Sequence, residues 1–174
     1  MALDFSDDEL RLLTSVPHAV GSAMAFAGSS GLIGTGKEMM ASARAMLEGV
    51  KRYPDNELIR AIVPRINAGG DPKVEMERAV QVRDWAVARM KEKGIDSPEK
   101  FRAQALDDTR QVAALLASKG TPEQAAQYRD WVMSVADGVA QAATEGGFLG
   151  FGGERLSEGE RKLLDELKAA LGVA

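Results

Sequence analysis

Apolar positions along the chain recur at three- and four-residue spacing, and each run opens at a residue suited to cap a helix. Phe101, Ala105, Val112 and Leu116 make one stripe, and Tyr128, Val132, Val135, Val139 and Ala142 make another. That period is helical. Ser6 with Glu9 predicts a capping box, in which hydroxyl and carboxylate satisfy first-turn N–H groups reciprocally, with Phe5 and Leu10 as its staple. A second helix is predicted from near Ser15-Val16-Pro17 to Ala27, and a third from Thr35, capped with Glu38, to just before Tyr53-Pro54. A short run follows from Asn56 and is stopped by Pro64. Asp71-Pro72, Ser97-Pro98 and Thr121-Pro122 each set proline at a first helical position, where its missing N–H costs nothing. Gly94 and Gly120 stand where left-handed C-cap residues belong, and Ser157 with Glu160 opens a last helix that closes at Gly172. No run shows the period-two alternation of a strand. The pattern predicts an all-α chain, a single compact helical bundle of about seven or eight helices forming one domain over 1–174.

Helix 72–93 is apolar on two sides, Val74, Val82 and Trp85 against Met76, Val80, Val87 and Met90. Such a helix is expected at the centre of the bundle, enclosed all round. Aromatics are only 5% of the 174 residues while alanine is plentiful, so helix axes are expected to approach closely, with Met filling gaps.

Composition narrows the chemistry. With no cysteine, disulfides, thiolate zinc sites, iron–sulfur clusters and cysteine nucleophiles are excluded. A single histidine, His18, excludes every multi-His metal site. The net charge of −4 argues against nucleic acid as a partner, since a phosphate backbone is met by a clustered basic face. The first residues, Met1 to Glu9, are acidic where a signal peptide is basic and then apolar, so a cytoplasmic location is expected. The uncharged stretch between Arg11 and Lys37 carries Pro17 and several glycines, which fits a core helix plus a loop better than a membrane span.

Laid on itself, the chain places Gly31-Leu32-Ile33-Gly34-Thr35-Gly36-Lys37-Glu38 on Gly147-Phe148-Leu149-Gly150-Phe151-Gly152-Gly153-Glu154, with four of the eight positions identical. This predicts a duplicated helix–Gly-loop–helix hairpin, over about 16–52 and 122–171. A second self-match, Arg83-Asp84-Trp85 on Arg129-Asp130-Trp131, is short enough to be explained by two similar helix faces. The first glycine loop has the Gly31-x-x-x-x-Gly36-Lys37 spacing of a phosphate-binding loop, but Glu38 replaces the Mg²⁺-binding hydroxyl and no strand precedes it. A turn between helices is the simpler reading.

The second loop sets Phe148, Leu149 and Phe151 among glycines. Either these side chains plug the end of their own bundle, or they are presented as an apolar patch to a protein partner, a second copy of the chain or a membrane surface. Acidic residues gather nearby. Glu145, Glu154 and Glu160 are candidate ligands of a divalent cation, which takes several oxygens, while Glu154, Glu158 and Glu160 equally suit a helix N-terminus. His18, on an alanine-rich helix, reads as a core or capping histidine with no partner base or nucleophile in sequence, so no catalytic residue is assigned.

Ala142-Ala143-Thr144-Glu145-Gly146-Gly147, followed by Leu156-Ser157-Glu158-Gly159-Glu160 and a Leu-rich helix, resembles the acidic hairpin of TerB-like tellurite-resistance proteins, small all-α bundles. The resemblance covers about the last 40 residues; Glu145 stands where that family has Asp, and the glycine–phenylalanine segment is an insertion. It implies Glu145 and Glu160 as acidic positions of interest and a stress-response or membrane-associated role. The expectation is a non-enzymatic interaction module, without a cofactor, that works through a protein partner, self-association or peripheral membrane contact. The alternative is a carboxylate metal-binding protein or metal-dependent enzyme.

Overall fold

The computed structural model describes residues 4–28, 31–63, 70–145 and 156–173. Seven α-helices occur among them: α1 (Asp7–Ala27), α2 (Gly31–Arg52), α3 (Glu57–Ile62), α4 (Pro72–Glu92), α5 (Pro98–Lys119), α6 (Pro122–Glu145) and α7 (Glu158–Leu171). No strand is present among the described residues. The all-α reading therefore holds, and so do most of its start signals. Ser6–Glu9 and Ser157–Glu160 both close as capping boxes, Asn56, Asp71 and Ser97 accept first-turn N–H groups, and Thr121 caps Gln124.

One predicted boundary is absent, because α1 runs straight through Pro17 where a new helix was expected. Proline has no N–H to give to the carbonyl four residues back, which orphans the Leu13 oxygen in the fully buried core. The Tyr128 hydroxyl of α6 donates to that oxygen at 2.7 Å. A tertiary hydrogen bond thus replaces the missing helical one, and two predicted helices become one. Burial around that hydroxyl raises its pKa well above the usual 10.0, so it stays a donor.

The core lies where α1, α2 and α6 meet. Leu13, Val16, Val20 and Met24 of α1 face Tyr128, Val132, Val135 and Val139 of α6, all fully buried. Small residues let the axes close in. A Cβ on Gly49 would overlap the Trp131 indole, one on Gly21 would overlap the Ser42 side chain, and one on Gly138 would sit 3.5 Å from the Ala45 methyl. Leu163, Leu167 and Leu171 of α7 complete the core, and Arg102–Glu166 ties α5 to α7 at 2.7 Å.

Three expectations are corrected. Gly31 to Gly36 belong to α2, so the first glycine loop is helix; glycine costs only about 1 kcal/mol per helical position, which packing of the rest of α2 on α6 overrides. Gly120 ends α5 in an extended conformation at φ −82°, whereas Gly94 and Gly172 do adopt left-handed geometry. Most consequential is α4, expected at the centre. Glu75 is its only buried residue, its backbone comes close to that of α1 alone among the described helices, and Val74, Met76, Val80 and Val87 are exposed. Of its two apolar sides, the one bearing Trp85 packs against the core and the other is left without cover.

Candidate functional site

Because α4 stands off from α5, the three helices α1, α4 and α5 enclose a cavity of about 380 Å³. Trp85, Met90 and Val82 of α4 roof it, Ala19 and Ala105 line it from α1 and α5, and Phe101 and Ile62 contribute further apolar surface. The helical phase explains the arrangement: Val82, Trp85, Ala86 and Arg89 recur at three- and four-residue spacing on one side of α4, opposite small α1 residues. Ala and Ser leave volume where larger side chains elsewhere fill the core.

Polar latches carry α4 across this gap. Arg89 reaches the buried Asp108 of α5 at 2.6 Å, and Gln104 donates to the other Asp108 oxygen at 2.6 Å. Lys93 donates to Gln104 at 3.1 Å, and Arg78 donates to the Ala61 carbonyl in α3. Arg89 also lies over the Trp85 ring, 5.5 Å from its centroid, which fixes the indole that roofs the cavity. With Asp108 buried, removing Arg89 would strand a charge, so this latch holds the helix ends in place.

His18 faces the same space. Its ring keeps accessible surface because it lines the cavity, yet the protein around it desolvates it and lowers its pKa from 6.5. It has no hydrogen-bond partner among the described residues. Ser22 and Asp108 line the cavity too, so the residue types of an acyl-transfer triad share one space. No hydrogen bond joins His18 to either, and both Asp108 oxygens are committed to Arg89 and Gln104. A nucleophile needs its base within hydrogen-bond reach.

A second, polar compartment of about 220 Å³ adjoins the first and shares Thr14, Arg78 and Val82 with it. Asp7, Leu10, Arg11 and Gln81 complete its lining. Arg11 is paired with Asp8 at 2.9 Å, while Arg78 has no carboxylate partner among the described residues.

The residues singled out in the sequence are not in this cavity. Phe148, Leu149, Phe151 and Glu154 lie outside the described residues, and Glu145 is the last residue of α6, with its side chain outside them as well. Glu160 is buried and serves its own helix, its Oε2 accepting from the Ser157 N–H at 2.8 Å and hydroxyl at 2.7 Å. Among the described residues no group of three or more His, Cys, Asp or Glu side chains is placed to hold a metal ion. Likewise no described helix is long and apolar enough to cross a membrane. What sequence reading missed was the cavity, whose signal was present in α4: cations at 78, 83, 89 and 93 interleaved with Val82, Trp85 and Met90 on a helix with more apolar surface than one neighbour covers. No protein-family model, curated protein or solved structure matches the chain.

Proposed function

We propose that the chain is a non-enzymatic binding module whose cavity between α1, α4 and α5 takes an apolar guest. The single observation that carries this is the cavity itself, about 380 Å³ walled by Trp85, Met90, Val82 and Phe101, within the size range of small-molecule sites. A concave space between helices, lined mostly by apolar side chains with a few polar groups among them, has the character of a preformed small-molecule site. The test is binding of a neutral fluorescent hydrocarbon probe such as N-phenyl-1-naphthylamine. Saturable binding that quenches Trp85, and that Ala86→Phe abolishes by filling the cavity, is the expected result. A probe that never binds would overturn the reading.

The Phe148–Leu149–Phe151 segment is proposed as a second contact, for a protein partner, another copy of the chain or a membrane surface. Its support is three large apolar residues spaced among glycines. Replacing both phenylalanines with alanine should leave the melting temperature unchanged while weakening self-association or vesicle binding; a loss of about 3–5 kcal/mol would mean the rings are core instead. The duplicated hairpin, and the TerB-like stress-response role that the last 40 residues imply, belong to the same proposal. A carboxylate metal site at Glu145, Glu154 and Glu160 is the less supported alternative, because Glu160 already serves as a cap. It predicts that calcium, magnesium or manganese raises the melting temperature by stabilising the folded form alone.

A further inference from the structure

We infer that the apolar cavity and its polar annex form one site for a single-chain amphiphile with an anionic head, the head at Arg78 and the chain beneath Trp85 and Met90. This rests on the reading of the cavity as a binding site and adds the chemistry of its occupant. Two compartments of opposite character share Thr14, Arg78 and Val82, so a ligand spanning both must itself be apolar at one end and polar at the other. The α4 residues lining the cavity run from Arg78 to Lys93, about 22 Å of helix axis at 1.5 Å per residue. A volume of about 380 Å³ drawn out over that length accommodates a chain better than a ring system.

Charge decides the head. Four cations and one carboxylate line the larger compartment, but they are not equivalent. The Arg89 charge is spent on Asp108 and that of Arg83 on its neighbour Asp84, 2.7 Å away. Lys93 donates to the neutral Gln104 and keeps its charge, but it lines the larger compartment and not the annex. Arg78 gives one N–H to a backbone carbonyl, which leaves its charge and its remaining donors facing the annex. Gln81 beside it has no hydrogen-bond partner among the described residues. A carboxylate entering the annex would receive donors from Arg78 and Gln81 together; Asp7 is the one acid in that lining, so a cationic head would meet Arg11 and Arg78 against a single carboxylate. A neutral head would leave the Arg78 charge uncompensated at the edge of an apolar space.

The experiment is displacement of bound N-phenyl-1-naphthylamine by three twelve-carbon amphiphiles below their micellar concentrations: dodecanoate, dodecanol and dodecyltrimethylammonium. Dodecanoate should displace the probe at concentrations at least about tenfold lower than either of the others, the scale of one charge-assisted hydrogen bond. Arg78→Gln should abolish that preference without changing displacement by dodecanol, and Lys93→Gln should leave it intact. Gln81→Glu, at an exposed position that does not threaten folding, should erase the preference independently by placing a carboxylate beside Arg78. Equal displacement by all three compounds, or a preference that survives both Arg78→Gln and Gln81→Glu, would overturn the inference while leaving the cavity a binding site. Failure of the probe itself to bind would instead overturn the underlying reading.

Discussion

The tripeptide Arg-Asp-Trp occurs twice, on α4 at 83–85 and on α6 at 129–131, and the two copies meet opposite fates. Trp131 is 2% exposed, its indole pressed where a Cβ on Gly49 would stand. Asp130 accepts the Tyr53 hydroxyl and pairs with Arg52 at 3.0 Å, and burial together with that bond pushes the Tyr53 pKa up to about 12. Trp85 is only partly buried and faces open volume, and among the described residues Asp84 pairs with nothing beyond the adjacent Arg83. The difference lies across from each helix. Opposite α6 stand glycine and alanine on helices whose axes come close, while α4 overhangs a gap bridged by polar side chains. Identical local sequence gives packed core in one place and a roof in the other, and the roof covers the cavity proposed as the binding site.

Truncating the two tryptophans should separate the regions most widely. Trp131→Ala removes a fully packed indole and should cost about 3–5 kcal/mol, whereas Trp85→Ala should cost less than half as much; chemical denaturation of both variants measures the contrast. Equal losses would mean that α4 is core after all. Tyr128→Phe should cost about 1–3 kcal/mol, because the buried Leu13 carbonyl orphaned by Pro17 loses the donor that replaces the helical N–H. A neutral result would show that α1 bridges Pro17 without that bond.

A smaller effect is expected from His18, whose folded pKa lies below 6.5. Above that pH both states hold it neutral; as pH falls through 6.5 the unfolded chain takes up a proton that the folded one resists, so stability declines on acidification. Arg78, Arg83, Arg89, Lys93 and Asp108 are the other charged groups lining the cavity. Glu9, held below its usual 4.5 by Lys119 at 2.7 Å, loses its contribution only at lower pH still. His18→Gln should therefore flatten the melting temperature between about pH 5 and 6.5, and an unchanged slope would remove His18 from the account. Smallest of all, Val74→Ser and Val80→Ser on α4, 57% and 36% exposed and outside the cavity lining, should change stability by less than about 0.5 kcal/mol each.

Caps and prolines made the helix starts legible, because they act on neighbours three or four residues away: Ser6, Ser97 and Ser157 each do what their spacing predicts. Tertiary substitutions were not legible. Nothing near Pro17 announces that Tyr128, more than a hundred residues on, supplies the missing donor, so one helix reads as two. The α4 pattern showed two apolar sides without showing that only one would find a partner, since that depends on how α1 and α5 are spaced. Periodicity reports which side chains seek cover, not whether the fold provides it.

Native-state hydrogen exchange tests most directly whether α4 is a loosely held roof over a ligand site. In the free protein, amides of Val82 to Met90 should exchange much faster than those of Tyr128 to Val139, because polar latches open locally while the core opens only globally. Saturating dodecanoate should slow exchange in α4 and leave α6 unchanged. Protection of α4 equal to that of α6 in the free protein, with no response to dodecanoate, would contradict the account.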